Sequence, residues 1–241
     1  TRTGVRSRHV ISDERLDEMA VEAAEKALAD AGMSASDLDY IICSNVVNEY
    51  ITPQLSCIIQ GGIGASCPCI DINCACAGFI YALEIAESFY KSGKVKNILV
   101  VCAEEPTRMT DWSDRRTCVL FGDGAGAAVL APGNNIRSIK LSASSATDKL
   151  WQYRPLHPTP YITKEEQDVP LQMKGQDVFK FAVKAASKDI SRTLEDAGVN
   201  ADEVDHYLLH QANVRIISAI QDYLKQPADK FPVNIADHGN S

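Results

Sequence analysis

The strongest constraint on the fold is a repeat. Leu28–Asn45 (LADAGMSASDLDYIICSN) and Leu194–Gln211 (LEDAGVNADEVDHYLLHQ) lie 166 positions apart, and six of their eighteen positions are identical. Most of the rest are similar, such as Met33 with Val199, Asp37 with Glu203 and Ile42 with Leu208. Just upstream, Ala20-Val21-Glu22-Ala23-Ala24 resembles Ala182-Val183-Lys184-Ala185-Ala186. An offset that holds through a helix, its glycine stop and the following strand marks a duplicated unit. Two half-domains are expected, residues 1–133 and 134–241, and the interface between them is the natural place for chemistry.

Each half alternates helix and strand. Leu16–Ala31 is an amphipathic helix with Gly32 as its stop. Strands are expected over 40–46, 68–74, 96–103 and 125–131, and helices over 54–63 and 77–90. In the second half the expectations are strands over 136–143 and 204–209, a helix over 178–197 stopped by Gly198, and a helix over 214–224. Continuous apolar strands between helices predict an α/β fold whose parallel sheet is covered on both faces. The strand at 136–143, shifted back by the offset, has a partner before Thr1. The second copy stops one position short of the place equivalent to Cys76. The chain is therefore expected to be incomplete at both ends.

Charge and cysteines narrow the function. With 24 Lys+Arg against 32 Asp+Glu the net charge is −8, which argues against a general nucleic-acid binder. No apolar run of about 18 residues is present for a membrane span, and the first residues carry no apolar signal core. The eight cysteines sit mostly in apolar runs of a chain with ample core, and free buried cysteine behaves as a small hydrophobe. A reducing, cytoplasmic setting is expected. The spacing Cys67-x-Cys69 and Cys74-x-Cys76 is wrong for a metal site. In a strand it sets two thiols about 7 Å apart, too wide for one zinc ion.

Three segments carry candidate chemistry. In Asp71–Phe79 a strand turns into an apolar helix at Cys76. A helix N-terminus has unsatisfied N–H groups and positive potential, so a thiol there is expected to have a lowered pKa and to serve as nucleophile. In Leu208–Asn213 an apolar strand ends at His210, and catalytic groups gather at the C-terminal ends of parallel strands. In Ala236–Ser241 the side-chain amide of Asn240 can donate a hydrogen bond. By the 166 offset Asn240 and Ser241 correspond to Cys74 and Ala75, so a pseudo-twofold would bring the two turns face to face. The run Gly122-Asp123-Gly124-Ala125-Gly126 is no dinucleotide fingerprint, because a strand follows it and not a helix.

Together, Cys-Ala-Gly-Phe at 76–79, Phe-Gly-Asp-Gly-Ala-Gly-Ala at 121–127, His-Gln-Ala-Asn at 210–213 and His-Gly-Asn at 238–240 resemble the β-ketoacyl-acyl-carrier-protein synthase III family. The opening Thr-Arg-Thr-Gly-Val-Arg and the run Arg215–Ser218 share the likeness. The resemblance implies a thiolase-like, duplicated αβαβα fold, a homodimer and a Cys76, His210, Asn240 triad. It implies condensation of an acyl-CoA primer with malonyl-acyl-carrier-protein, through an acyl group on Cys76, with no cofactor and no metal. It also implies CoA contacts from Arg2, Arg115 and Asn213, and a carrier-protein surface at Arg215 with Lys180. A relative that uses CoA-bound substrates in secondary metabolism is the other reading; Asn240 favours the decarboxylating one. The primer itself is not legible.

Overall fold

The computed structural model describes residues 3–154, 159–161 and 169–241. Arg2 and most of the segment between Trp151 and Pro170 lie outside the described residues. The elements run α1 (Leu16–Ala31), β1 (Tyr40–Ser44), α2 (Leu55–Gly62), β2 (Cys69–Ile72), α3 (Gly78–Lys91), β3 (Ile98–Glu104) and β4 (Gly124–Leu130). The second half adds β5 (Leu150–Trp151), β6 (Gln172–Met173), α4 (Gly175–Ala197), α5 (Val214–Leu224) and α6 (Ile235–His238).

The main sheet has the order β2-β1-β3-β4. β1 pairs in parallel with β2 and β3, as α-helical crossovers require. β4 departs from the expected all-parallel sheet and pairs antiparallel to β3. The reason is the connection: residues 105–123 hold only a short 3-10 turn, Pro106–Met109, and no crossover helix, so the chain returns along its neighbour.

Alternation along β3 sorts its side chains to two cores. Leu99, Val101 and Ala103 pack with α1 and α2 through Leu16, Ala20, Ala24, Leu28, Leu55 and Ile59. Ile98 and Val100 pack under α3 with Ile42, Ala82 and Ala86. All four large β3 residues are fully buried, each contributing about 1.5–3 kcal/mol. Cys102 and Glu104 continue the α3-facing set, which matters for the site.

The repeat is visible in backbone geometry. Helix α1 ends at Gly32 (φ 63°) and helix α4 at Gly198 (φ 62°), both left-handed. Behind each cap, Met33 N–H donates to Leu28 O and Val199 N–H to Leu194 O, both at 3.0 Å. Next comes a 3-10 turn opened by a capping box, Ser34 with Asp37 and Asn200 with Glu203, again 166 apart. After that the copies diverge. The first continues into β1. The expected strand over 204–209 forms no ladder, nor does that over 136–143, because among the described residues no strand runs beside them. The second half instead closes on a core of Tyr207, Ile216, Ile217, Ile220 and Phe231, with the Tyr207 and Phe231 rings stacked at 4.8 Å.

Asp123 ties the β4 entry to the rest. Its carboxylate accepts Ile11 N–H at 2.9 Å, Thr107 N–H at 3.1 Å and the Thr107 hydroxyl at 2.6 Å, in a buried setting. Asp123→Ala leaves those donors unpaired and is expected to destabilise the protein by about 3 kcal/mol. A urea midpoint matching wild type would show that water replaces the carboxylate.

Candidate active site

Two turns from opposite halves build the site. The first begins at β2. Asp71 accepts the N–H groups of Leu55 and Ser56, both at 2.8 Å, so the acid that leads into the turn also anchors the start of α2. The chain then bends at Ala75, a non-glycine residue held at φ 45°, through a 3-10 turn over Ala75–Ala77. Gly78 opens α3 against β1: a Cβ there would sit 1.8 Å from Ser44 Oγ. Only glycine lets the turn come down onto the sheet, and Cys76 is carried with it to the helix start.

The second turn is Asp237–Ser241. Gly239 has φ 73° and ψ −155°, a region reserved for glycine, and a Cβ there would lie 2.8 Å from Leu120 O. Asn240 N–H donates to Leu120 O at 2.9 Å, and Gly122 N–H donates to Asn240 O at 3.0 Å. This parallel bridge of Asn240 with Phe121 holds the second turn against the entry to β4. Its neighbour Ser241 comes within 3.9 Å of where a Gly124 side chain would lie. Gly124 is the cross-strand partner of Glu104, so both face the same side of the sheet.

The side chains converge accordingly. The Asn240 side chain lies close enough to His210 to act on the titration of its imidazole. Burial lowers the imidazole pKa most, while the Asn240 side chain works the other way. The Glu104 carboxyl acts electrostatically on the Cys76 thiol, and its cross-strand partner Gly124 lies near Ser241. Both Cys76 and His210 are open to solvent at their tips, yet enough protein surrounds them for desolvation to dominate their titration.

That corrects one expectation. The Cys76 thiol pKa is raised, not lowered. Desolvation pushes it up most, its own backbone N–H pulls it down, and the Glu104 charge pushes it up again. The favourable end of α3 is outweighed.

The remaining predicted positions are more scattered. Asn213 is the N-cap of α5, its side chain accepting Arg215 N–H at 2.9 Å, so its oxygen is already engaged. Arg115 is exposed, whereas its neighbour Arg116 is tied to Asp114 at 2.8 Å. The Arg215 guanidinium lies 5.7 Å over the Phe179 ring, next in sequence to the exposed Lys180. Both cations are exposed on the packed pair α4 and α5. A recess of about 440 Å³, lined in part by Leu16, Leu55 and Trp112, is on the α1 side and holds neither Cys76 nor His210. No group of three or more metal-ligating side chains occurs among the described residues. Sequence reasoning missed Glu104 and the Ser44–Gly78 contact. The available signal was an acid closing an otherwise apolar strand.

Comparison with known proteins shows the family. Residues 70–148 match the family described as 3-oxoacyl-(acyl-carrier-protein) synthase III, and residues 194–241 match its C-terminal counterpart. A β-ketoacyl-(acyl-carrier-protein) synthase III of Clostridium perfringens is 39% identical over the whole chain, which spans 76% of that relative. The crystal structure of the Aquifex aeolicus 3-oxoacyl-(acyl-carrier-protein) synthase III superposes with a TM-score of 0.89 at 39% identity, covering 100% of this chain and 75% of that one. The Thermus thermophilus structure gives a TM-score of 0.90 at 31% identity, covering 100% and 76%. At that identity, over that share of both chains, the chain has the thiolase-like fold and belongs to the 3-oxoacyl-(acyl-carrier-protein) synthase III family.

Proposed function

We propose that this chain catalyses the decarboxylative condensation of an acyl-CoA primer, acetyl-CoA first, with malonyl-acyl-carrier-protein, the step that initiates fatty acid synthesis. The observation that carries the reading is the closeness of His210 to Asn240 on the copy of the turn that bears Cys76. Cys76 attacks the primer thioester. A sulfur–carbon bond forms at Cys76, the bond to the CoA sulfur breaks, and the thiol proton ends on the departing CoA. The backbone N–H of Cys76 is the donor for the oxyanion of this acyl step. Malonyl-carrier then loses CO2, and the enolate oxygen takes hydrogen bonds from the His210 ring and the Asn240 amide before its carbon attacks the acyl-Cys76 carbonyl; the carbon–sulfur bond to Cys76 breaks, the thiolate takes a proton from water, and β-ketoacyl-carrier leaves. A neutral imidazole suits this role, because it donates without competing for the malonyl carboxylate.

The recognition groups follow the same reading. Arg2, Arg115 and Asn213 are the CoA-side residues, with Asn213 limited to what its amide nitrogen can offer. Arg215 and Lys180 form the cationic surface for an acidic carrier protein, in a chain whose net charge is −8. A homodimer is supported by the outer side of β2, an edge of the main sheet. No metal or cofactor enters the chemistry. A cytoplasmic setting is supported by eight free thiols. No helix among the described residues is long and apolar enough to cross a membrane. The two halves, 1–133 and 134–241, supply nucleophile and enolate stabilisers respectively.

The direct test offers acetyl-CoA with either malonyl-carrier or malonyl-CoA and measures CO2 with the β-ketoacyl product. Product on the carrier is expected. Equal or faster turnover with malonyl-CoA would overturn the carrier assignment.

A further inference from the structure

Two thiols that the reaction does not use touch each other. Cys57 lies in the first turn of α2, and Cys69 is the first residue of β2. Their Sγ atoms are 3.4 Å apart, and among the described residues no other pair of thiols is in hydrogen-bond contact. One side chain holds the pair. The Gln54 amide donates to Cys69 O at 2.9 Å and lies 3.6 Å from the Cys57 sulfur and 3.7 Å from that of Cys69. Asp71, two residues along the same face of β2 as Cys69, accepts the N–H groups of Leu55 and Ser56, both at 2.8 Å. The segments that carry the two sulfurs are therefore fixed beside each other. Cys57 is exposed, whereas Cys69 is half-buried against the core beneath α2.

We propose that Cys57 and Cys69 are a redox site, which a peroxide closes reversibly to an intrachain disulfide tying the start of α2 to β2. Sulfurs already in contact reach bonding distance, about 2.05 Å, by small side-chain rotations. Cys57, the accessible sulfur, gives two electrons to the peroxide. A sulfur–oxygen bond forms, the oxygen–oxygen bond breaks, and Cys57 becomes a sulfenic acid with release of water. The Cys69 sulfur then attacks the Cys57 sulfur. A sulfur–sulfur bond forms, the sulfur–oxygen bond breaks, and the hydroxyl leaves with the Cys69 proton as a second water. Two thiols and one peroxide thus give one disulfide and two waters. A dithiol reductant restores both thiols by exchange. Burial, and next the contact with Cys57, raises the Cys69 thiol pKa, which makes Cys69 the resolving sulfur and not the first to be oxidised. In a reducing setting such a disulfide is transient, formed under oxidant and then lost. Pairing of the β2 edge with a second copy uses backbone groups in the plane of the sheet, whereas the Cys69 side chain points out of that plane to Cys57. The site is complete within one chain, and Cys76 has no part in it.

The test treats the reduced protein with an equimolar amount of hydrogen peroxide until the oxidant is consumed. Remaining thiols are blocked with N-ethylmaleimide in denaturant, and the cysteines are mapped by peptic digestion and mass spectrometry without reduction. The main product is expected to lose two of the eight free thiols, with Cys57 joined to Cys69 and the chain lighter by two hydrogen atoms. Dithiothreitol is expected to restore both. Cys69→Ser is expected to stop at the sulfenic acid, which dimedone labels at Cys57. Cys57→Ser is expected to form no disulfide under the same treatment. Cys76→Ser, which lacks the proposed nucleophile, is expected to close the pair as wild type does, so the outcome does not depend on the condensation reading. A wild-type protein that keeps all eight thiols overturns the proposal without any variant. So does a disulfide that joins Cys57 or Cys69 to Cys67 or to a second chain.

Discussion

Cys76→Ala is expected to take up no acetyl group from labelled acetyl-CoA, and condensation to fall on the order of 10⁴- to 10⁶-fold, the scale of losing a covalent nucleophile. The size follows from what the residue does. Without an acyl-enzyme, carbon–carbon bond formation has to proceed in one step between two thioesters held by different carriers. The remaining donors still bind, so a small residual turnover is expected and a stable fold is retained. Cys76 is exposed and packs no core. The change removes one sulfur from a turn whose shape is set by Ala75 and Gly78. A Cys76→Ala protein that still carries acetyl after denaturation and gel filtration would place the nucleophile elsewhere. The seven other free cysteines make that a real contest.

Much of this site was legible because its chemistry sits on turns that residue types announce. Gly78 and Gly239 occupy positions where a side chain would strike Ser44 or Leu120, and each lies within three residues of the group it serves. The glycine stops at Gly32 and Gly198 locate both copies of the repeat, and the left-handed caps match to a degree. The strand at 204–209 was misread because its apolar residues match those of β1 without its pairing. A ladder is a property of neighbours, and Leu208 is 81% exposed here. The direction of β4 was also hidden. Apolar runs carry no direction, and only the absence of a helix in 105–123 betrays it.

The thiol pKa was misjudged for a related reason. The sequence places Cys76 at a helix start, a local feature with a known sign. What opposes it is desolvation by the surrounding fold, the largest effect, and then the charge of Glu104, 28 residues away along the chain. Electrostatics summed over a fold cannot be read from one segment. Arg115 and Asn213 lie on surfaces where many arrangements of charge would serve.

His210→Ala and Asn240→Ala are expected to separate the two half-reactions. Each removes a donor to the enolate, and loss of one such donor lowers the rate about 100- to 1,000-fold. Acetyl transfer to Cys76 makes no enolate, so it is expected to stay within about threefold of wild type by the same argument. The comparison is internal: one preparation of each variant, with acetyl label on Cys76 counted beside CO2 released from malonyl-carrier. The pH profile supplies a second arm. Burial holds the His210 pKa below its ordinary 6.5, against the pull of Asn240. The imidazole is thus neutral through pH 7 and 8, and protonation changes decarboxylation only as the pH falls below 6.5. In Asn240→Ala the opposing side chain is gone, so desolvation acts alone and the acid limb moves to still lower pH. Equal loss of both half-reactions in His210→Ala would make the imidazole a partner of Cys76 in acyl transfer and not a stabiliser of the enolate. An acid limb above 6.5 would mean that the site favours imidazolium, which a malonyl carboxylate would hold in place and so slow its own departure as CO2.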